Sequence, residues 1–183
     1  MSRIIAAINM TLDGFCDHTA ISPDEEIHQH YAGLLHSAGT LVYGRATYRL
    51  MEYWRTVVKE PTGNKATDEF ALVMDSTPKI VFSRTLKSLD WPTARLAGRD
   101  LETEMTALRQ QAGKDIVVGS PGLIISMLNL GLIDELQLCV HPVVARSGSP
   151  LFTNMNGNAT FTLVKTKVFS AGAVILYYAT AKK

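Results

Sequence analysis

The feature that most restricts this chain is a series of short apolar runs that do not alternate. Residues 3–10 are rich in Ile and Ala, and residues 40–43, 79–82, 116–118 and 136–144 repeat the pattern, with a weaker run at 94–97. A strand wetted on one face alternates apolar with polar, whereas a run apolar at nearly every position is buried on both faces. Segments of helical spacing lie between these runs. Ile27, Tyr31, Leu34, Leu35 and Ala38 form one stripe; Phe70, Val73 and Met74 mark a helix over 66–74; Leu101, Met105, Leu108 and Ala112 form a third stripe. Ser22-Pro23 with Glu25 predicts the start of the first helix and Asp100 caps the third, while Gly39, Gly113 and Gly131 predict helix ends. The chain closes differently. Residues 161–168 and 173–180 read as strands joined at Ser170-Ala171-Gly172, an antiparallel hairpin. Strand–helix alternation ending in a hairpin specifies an α/β fold. Its mixed, mostly parallel central sheet carries helices on both faces, in a single domain spanning residues 1–183.

Charge excludes several function classes. Lys plus Arg number 18 against 17 for Asp plus Glu, so no overall field draws the protein to nucleic acid or to a membrane surface. Cys16 and Cys139 are far apart and outside any CxxC pattern, which argues against a disulfide framework and a thiolate metal site. The opening Ile/Ala run is too short to cross a bilayer, and the expected location is the cytoplasm. His28 and His30 are two apart on a predicted helix and point to different sides. With His36 they read as surface or boundary residues, and no metal site is expected. Tyr48, Tyr53 and Trp54 could stack on a flat substrate or cofactor ring, although aromatics in such a segment more often pack.

Two strand-to-helix junctions stand out. At Val42-Tyr43-Gly44-Arg45-Ala46-Thr47 a helix opens directly after a buried strand, aiming unpaired N–H groups at the sheet edge. Gly44 admits close approach to the backbone, Arg45 offers a planar fork for phosphate oxygens, and Thr47 adds a hydroxyl. Val118-Gly119-Ser120-Pro121-Gly122 follows the same logic without a charge. Each junction alone reads equally as an ordinary helix start, and neither matches GxGxxG or a P-loop. Ser83-Arg84, at the end of another strand, is either a solvated turn or a second phosphate contact. Asp13 either caps its own turn before Gly14 or serves as an acid.

In order and spacing these segments resemble the dihydrofolate reductase superfamily, and most closely the reductase domain of bacterial riboflavin-synthesis enzymes and its stand-alone relatives. The matching pieces are Met10-Thr11-Leu12-Asp13-Gly14, Gly44-Arg45-x-Thr47-Tyr48, Val81-Phe82-Ser83-Arg84-Thr85-Leu86 and Val118-Gly119-Ser120-Pro121-Gly122. Gly131-Leu132-Ile133-Asp134-Glu135-Leu136, His141-Pro142-Val143-Val144 and Pro150-Leu151-Phe152 complete them. The resemblance implies a dihydrofolate reductase-like fold and NADPH as cofactor. Arg45, Ser83 and Arg84 would hold the adenosine 2′-phosphate. Thr47, Gly119, Ser120 and Gly122 would face the pyrophosphate across from Gly44, and Ala7 would lie against the nicotinamide. Asp13 would be the catalytic acid in hydride transfer to a small heterocyclic, pterin- or pyrimidine-like substrate.

The sequence departs from the riboflavin-type pattern at Val118, where those enzymes carry glutamate, and at Ser120, where they carry a second glycine. These departures motivate the alternative of a non-catalytic NADPH-binding sensor or scaffold. The apolar C-terminal strands imply a homodimer.

Overall fold

The computed structural model describes residues 1–111 and 113–180. Its elements run β1 (Ile4–Thr11), α1 (Glu25–Ser37), β2 (Ala38–Gly44), α2 (Arg45–Met51), α3 (Tyr53–Lys59), α4 (Lys65–Ser76), β3 (Lys79–Phe82) and β4 (Ala94–Leu96). They continue through α5 (Leu101–Gln110), β5 (Asp115–Val118), α6 (Pro121–Asn129), β6 (Glu135–His141), β7 (Phe161–Val168) and β8 (Val174–Thr180).

The strands form one sheet in the order β4-β3-β2-β5-β1-β6-β8-β7. The first six are parallel to one another, and β8 runs antiparallel to both β6 and β7. This is the mixed sheet with a terminal hairpin that the patterning specifies. Alternate residues of each central strand feed two cores. Ile4, Ala6, Val42, Ile116 and Val118 pack with Met105 of α5 and Ile124 and Met127 of α6. Ala7, Leu41, Tyr43, Val81 and Val117 pack on the opposite side with Leu35 of α1 and Phe70 and Met74 of α4. The non-alternating runs are thus explained, because both faces are covered.

Several boundaries differ from expectation. The first helix starts at Asp24 rather than Ser22-Pro23, because the Asp24 carboxylate accepts the Ile27 N–H and serves as the N-cap. Gly39 lies inside β2, and Ala38 closes α1. Helix α3 was not foreseen; Glu52 closes α2 and opens α3, and the spacing of apolar residues is interrupted there. The third stripe is borne out through Leu108, the helix closes at Gln111 rather than Gly113, and Ala112 lies outside the described residues. Strand β6 ends at His141, since Pro142 has no N–H to donate to a neighbour. Among the described residues no helix is long and apolar enough to cross a membrane.

Candidate active site

The parallel register gathers the C-terminal ends of β1, β2, β3 and β5 along one edge. Gly44 pairs with Phe82, directly before Ser83-Arg84, and Val118 pairs with both Val42 and Ala6. The predicted phosphate residues therefore come from three neighbouring strand ends. Beneath them opens a cavity of about 610 Å³ that reaches between the sheet and α1, α2, α3 and α4. Such a volume suits a small organic ligand.

The two glycine junctions touch. The Gly44 N–H donates to Ser120 Oγ at 2.9 Å. Ser120 is buried and leaves α6 without a side-chain cap, since its oxygen faces Gly44 instead. Pro121 has no N–H, and among the described residues neither Gly122 nor Leu123 has its N–H engaged. Gly119 is held open by crowding, because a Cβ there would sit 3.3 Å from Cε1 of Tyr43 and 3.8 Å from the Ala7 carbonyl oxygen. Gly44 differs from expectation on two points. A Cβ there would meet only ordinary contacts, and its N–H is already used. Helix α2 is seven residues long, so that corner relies on the side chains of Arg45 and Thr47 more than on helix polarity.

Arg45 is exposed, and its Nη1 donates to Thr85 Oγ1 at 2.8 Å, bridging α2 to the turn after β3. In that turn Ser83 Oγ accepts the N–H groups of Thr85 and Leu86 at 3.2 and 3.0 Å, and Arg84 is exposed. Ala7, Thr47 and Gly119 line the cavity. Gly122 is exposed on the first turn of α6.

Asp13 is placed differently from a catalytic acid. Its carboxylate accepts the Thr11 hydroxyl at 2.7 Å and the backbone N–H groups of Ala145 and Arg146 at 3.1 and 2.8 Å. Those donors, led by the Thr11 hydroxyl, hold its pKa down to about 2, so it carries no proton to give near neutrality. It is also absent from the cavity wall. Asp13 joins the turn at Gly14 (φ +87°) to the loop holding Arg146, whose own φ of +63° is a left-handed conformation rare outside glycine.

Three residues that the sequence did not assign to the site, His28, Trp54 and Asn9, line the cavity instead. His28 stacks on Phe70 with ring centres 5.7 Å apart and meets Trp54 edge-on at 5.5 Å; Trp54 and Phe70 are 4.6 Å apart. His28 Nδ1 lies 3.2 Å from Thr67 Oγ1. Burial lowers the His28 pKa, opposed by the nearby Asp24 charge. Asn9 is the third. Its Oδ1 accepts the Tyr31 hydroxyl at 3.1 Å and lies 2.9 Å from His141 Nε2. An asparagine inside the apolar β1 run was the available signal, because a buried polar side chain is kept only where it has partners. The predicted packing role holds for Tyr48, which is fully buried, while Tyr53 and Trp54 line the cavity.

The sequence matches the family described as the RibD C-terminal domain over residues 2–175. The chain belongs to that family. It is 33% identical over 184 residues to the uncharacterized protein YyaP of Bacillus subtilis (strain 168), covering 96% of this chain and 94% of that protein. A pyrimidine reductase-like protein from Corynebacterium diphtheriae superposes with a TM-score of 0.68 at 16% identity, covering 100% of this chain and 93% of that one. Dihydrofolate reductase from Enterococcus faecalis, complexed with NADP(H) and RAB-propyl, gives 0.62 at 13% identity over 97% and 96% of the two chains. The Thermotoga maritima diaminohydroxyphosphoribosylaminopyrimidine deaminase/5-amino-6-(5-phosphoribosylamino)uracil reductase gives 0.68 at 13% identity, covering 98% of this chain and 57% of that one. These solved structures share the dihydrofolate reductase-like fold with this chain.

Proposed function

We propose that this protein is an NADPH-dependent reductase that delivers hydride to a small, flat heterocycle of the pterin or pyrimidine type. Bound NADPH supplies the hydride, so that a C=N or C=O group gains hydride on carbon and a proton on its heteroatom. The observation that supports this most is the bond from the Gly44 N–H to the Ser120 hydroxyl. It fastens the two glycine-marked junctions together at the mouth of one cavity.

The residues present fit the cofactor. The unengaged N–H groups of Gly122 and Leu123, at the start of a nine-residue helix, suit pyrophosphate oxygens. Gly119 keeps the backbone accessible there, the Ser120 hydroxyl has a proton to donate, and Thr47 adds a second hydroxyl. Arg45, with Ser83 and Arg84 beside it, forms the basic corner for the 2′-phosphate. Ala7 leaves room for the nicotinamide because its side chain is one methyl group. His28 replaces Asp13 as the residue that handles the proton, since its ring lines the aromatic wall. The enzyme works as a cytoplasmic homodimer.

Arg45→Ala tests the cofactor reading. It should weaken NADPH about tenfold more than NADH, because only NADPH carries the phosphate that a charged hydrogen bond recognises. Calorimetric titration of both nucleotides checks this, and equal losses would overturn it.

A second reading is a non-catalytic NADPH-binding sensor or scaffold. Two observations favour it: Val118 lies wholly in the core, and Asp13 is occupied by backbone donors. Nucleotide binding without oxidation of NADPH across pterins, pyrimidines and quinones would select it.

A further inference from the structure

The cavity wall also carries information about charge. Among the described residues no lysine or arginine lines it, and Arg45 and Arg84 stand outside. Its ionisable members in the chain segment 16–18 are the Cys16 thiol, Asp17, whose carboxylate takes the N–H and hydroxyl of Thr19, and His18. An anion entering would leave water with no lysine or arginine to meet it, only the histidines of the wall, and would face a carboxylate, which disfavours it. The walls themselves are flat. Trp54, Phe70 and His28 present ring faces and edges to one another at 4.6–5.7 Å, the spacing at which aromatic groups pack.

One polar group in this wall has a hydrogen-bond donor to spare. Asn9 Oδ1 is taken by the Tyr31 hydroxyl and by His141 Nε2, so its NH₂ group is left over as a donor. No hydrogen bond from Asn9 Nδ2 exists among the described residues, and Asn9 lines the cavity. Set beside the aromatic rings of this wall, such a donor recognises an acceptor on an otherwise apolar ring. Ala7 lies two residues before Asn9 on β1, on the same face, so this donor sits about 7 Å from the proposed nicotinamide position.

We propose that the compound reduced here is an uncharged, flat, conjugated ring whose carbonyl or imine accepts from Asn9, and that phosphorylated rings are refused. This deepens the reductase reading and rests on it. It separates this site from the Thermotoga maritima enzyme, whose named substrate carries a phosphoribosyl group. Bound NADPH would supply the hydride that reaches the ring carbon, and His28 would deliver the proton to the ring heteroatom.

Calorimetric titration of the purified protein, with and without saturating NADP⁺, tests this by binding alone. The probes are menadione as a neutral ring dicarbonyl, a naphthoquinone sulfonate as its charged counterpart, methylnaphthalene lacking carbonyls, and uridine monophosphate. Menadione should bind at least about tenfold tighter than the sulfonate or the nucleotide. Trp54→Ala should weaken menadione about tenfold. Leu50→Lys, which sets a cation at the cavity wall, should narrow the gap between menadione and the sulfonate. Asn9→Ala should bring menadione down to the affinity of methylnaphthalene; if that variant does not fold, the Trp54 and Leu50 variants decide the matter. Equal or tighter binding of uridine monophosphate, or no binding of any neutral ring, overturns the proposal. Failure of NADP⁺ to bind is a separate result that removes the reductase reading, and the titrations without nucleotide still decide the class of ring.

Discussion

The Asp13 carboxylate and the His28 ring differ in what they can do with a proton. Asp13 accepts from one hydroxyl and two backbone N–H groups, and its pKa lies near 2 against an ordinary 3.8. A group depressed in this way stabilises the fold fully above its unfolded value, and that contribution is lost as the pH falls through about 2. Asp13→Ala should therefore lower the melting temperature by a few degrees at neutral pH and leave NADPH oxidation within about threefold of the parent. His28→Gln should do the reverse. Turnover should fall on the order of a hundredfold with NADPH affinity unchanged, as for loss of a general acid. Because burial lowers the His28 pKa, the parent rate should rise as the pH falls below its ordinary 6.5, and His28→Gln should flatten that limb. A hundredfold loss in Asp13→Ala with a normal His28→Gln would reverse these roles. By its residues alone the sequence left Asp13 equally an acid or a turn residue, and the family resemblance made it the catalytic acid. The choice needed residues 145–146, more than a hundred positions away, whose N–H groups no local pattern reveals.

At the scale of elements, helix α1 rests on the hairpin through a histidine that cannot easily be charged. His30 lies against Tyr31, Phe169 and Tyr177 with ring centres 5.4–6.3 Å away, and its buried Nε2 has no partner among the described residues. Burial first, then Lys167 and Lys165 on β7, push its pKa down to about 4, while Gln137 on β6 acts weakly the other way. With an unfolded value near 6.5, the chain takes up a proton on unfolding anywhere between those limits. Stability is thus complete above pH 6.5 and falls as the solution is acidified toward pH 4. Thermal unfolding across that range should show a drop of several degrees, and His30→Phe should reduce it measurably; an unchanged slope would mean that His30 is not the group responsible. Elements of this kind were largely legible. The strands at 79–82 and 161–168 and the Asp100 cap were placed to the residue, because apolar runs and cap chemistry are local signals. The aromatic wall was not. His28, Trp54 and Phe70 come from α1, α3 and α4, and only the packing of three helices brings them into one slot.

Among the described residues the β7 edge of the sheet is left uncovered. Strand β7 is exposed along almost its whole length, and the apolar character of the C-terminal strands was the reason to expect a homodimer. The two faces in fact differ. Lys165 and Lys167 fall on the side of Tyr177 and Phe169, with their Nζ atoms 4.4 and 4.8 Å from those ring centres, so that side is shielded by charge. A register shift between Leu163 and Lys165 turns Phe161, Leu163 and Val168 to the other side, opposite Thr180, Tyr178 and Val174. Leu163 and Val168 are 51% and 70% exposed, so this side is apolar and open to water. An apolar side on an edge strand invites another strand or sheet unless something covers it. A second copy of this chain, related by a two-fold axis, would set like side against like side and leave the strand ends that frame the cavity free. Light scattering at micromolar concentration should accordingly give twice the mass of the chain. Leu163→Lys with Val168→Lys should halve that mass while NADPH binding persists, since Arg45 and Gly119 follow β2 and β5, mid-sheet strands separated from β7 by β8, β6 and β1. A parent protein that scatters as a monomer, or a double variant that remains dimeric, would show that the pairing lies elsewhere or does not form.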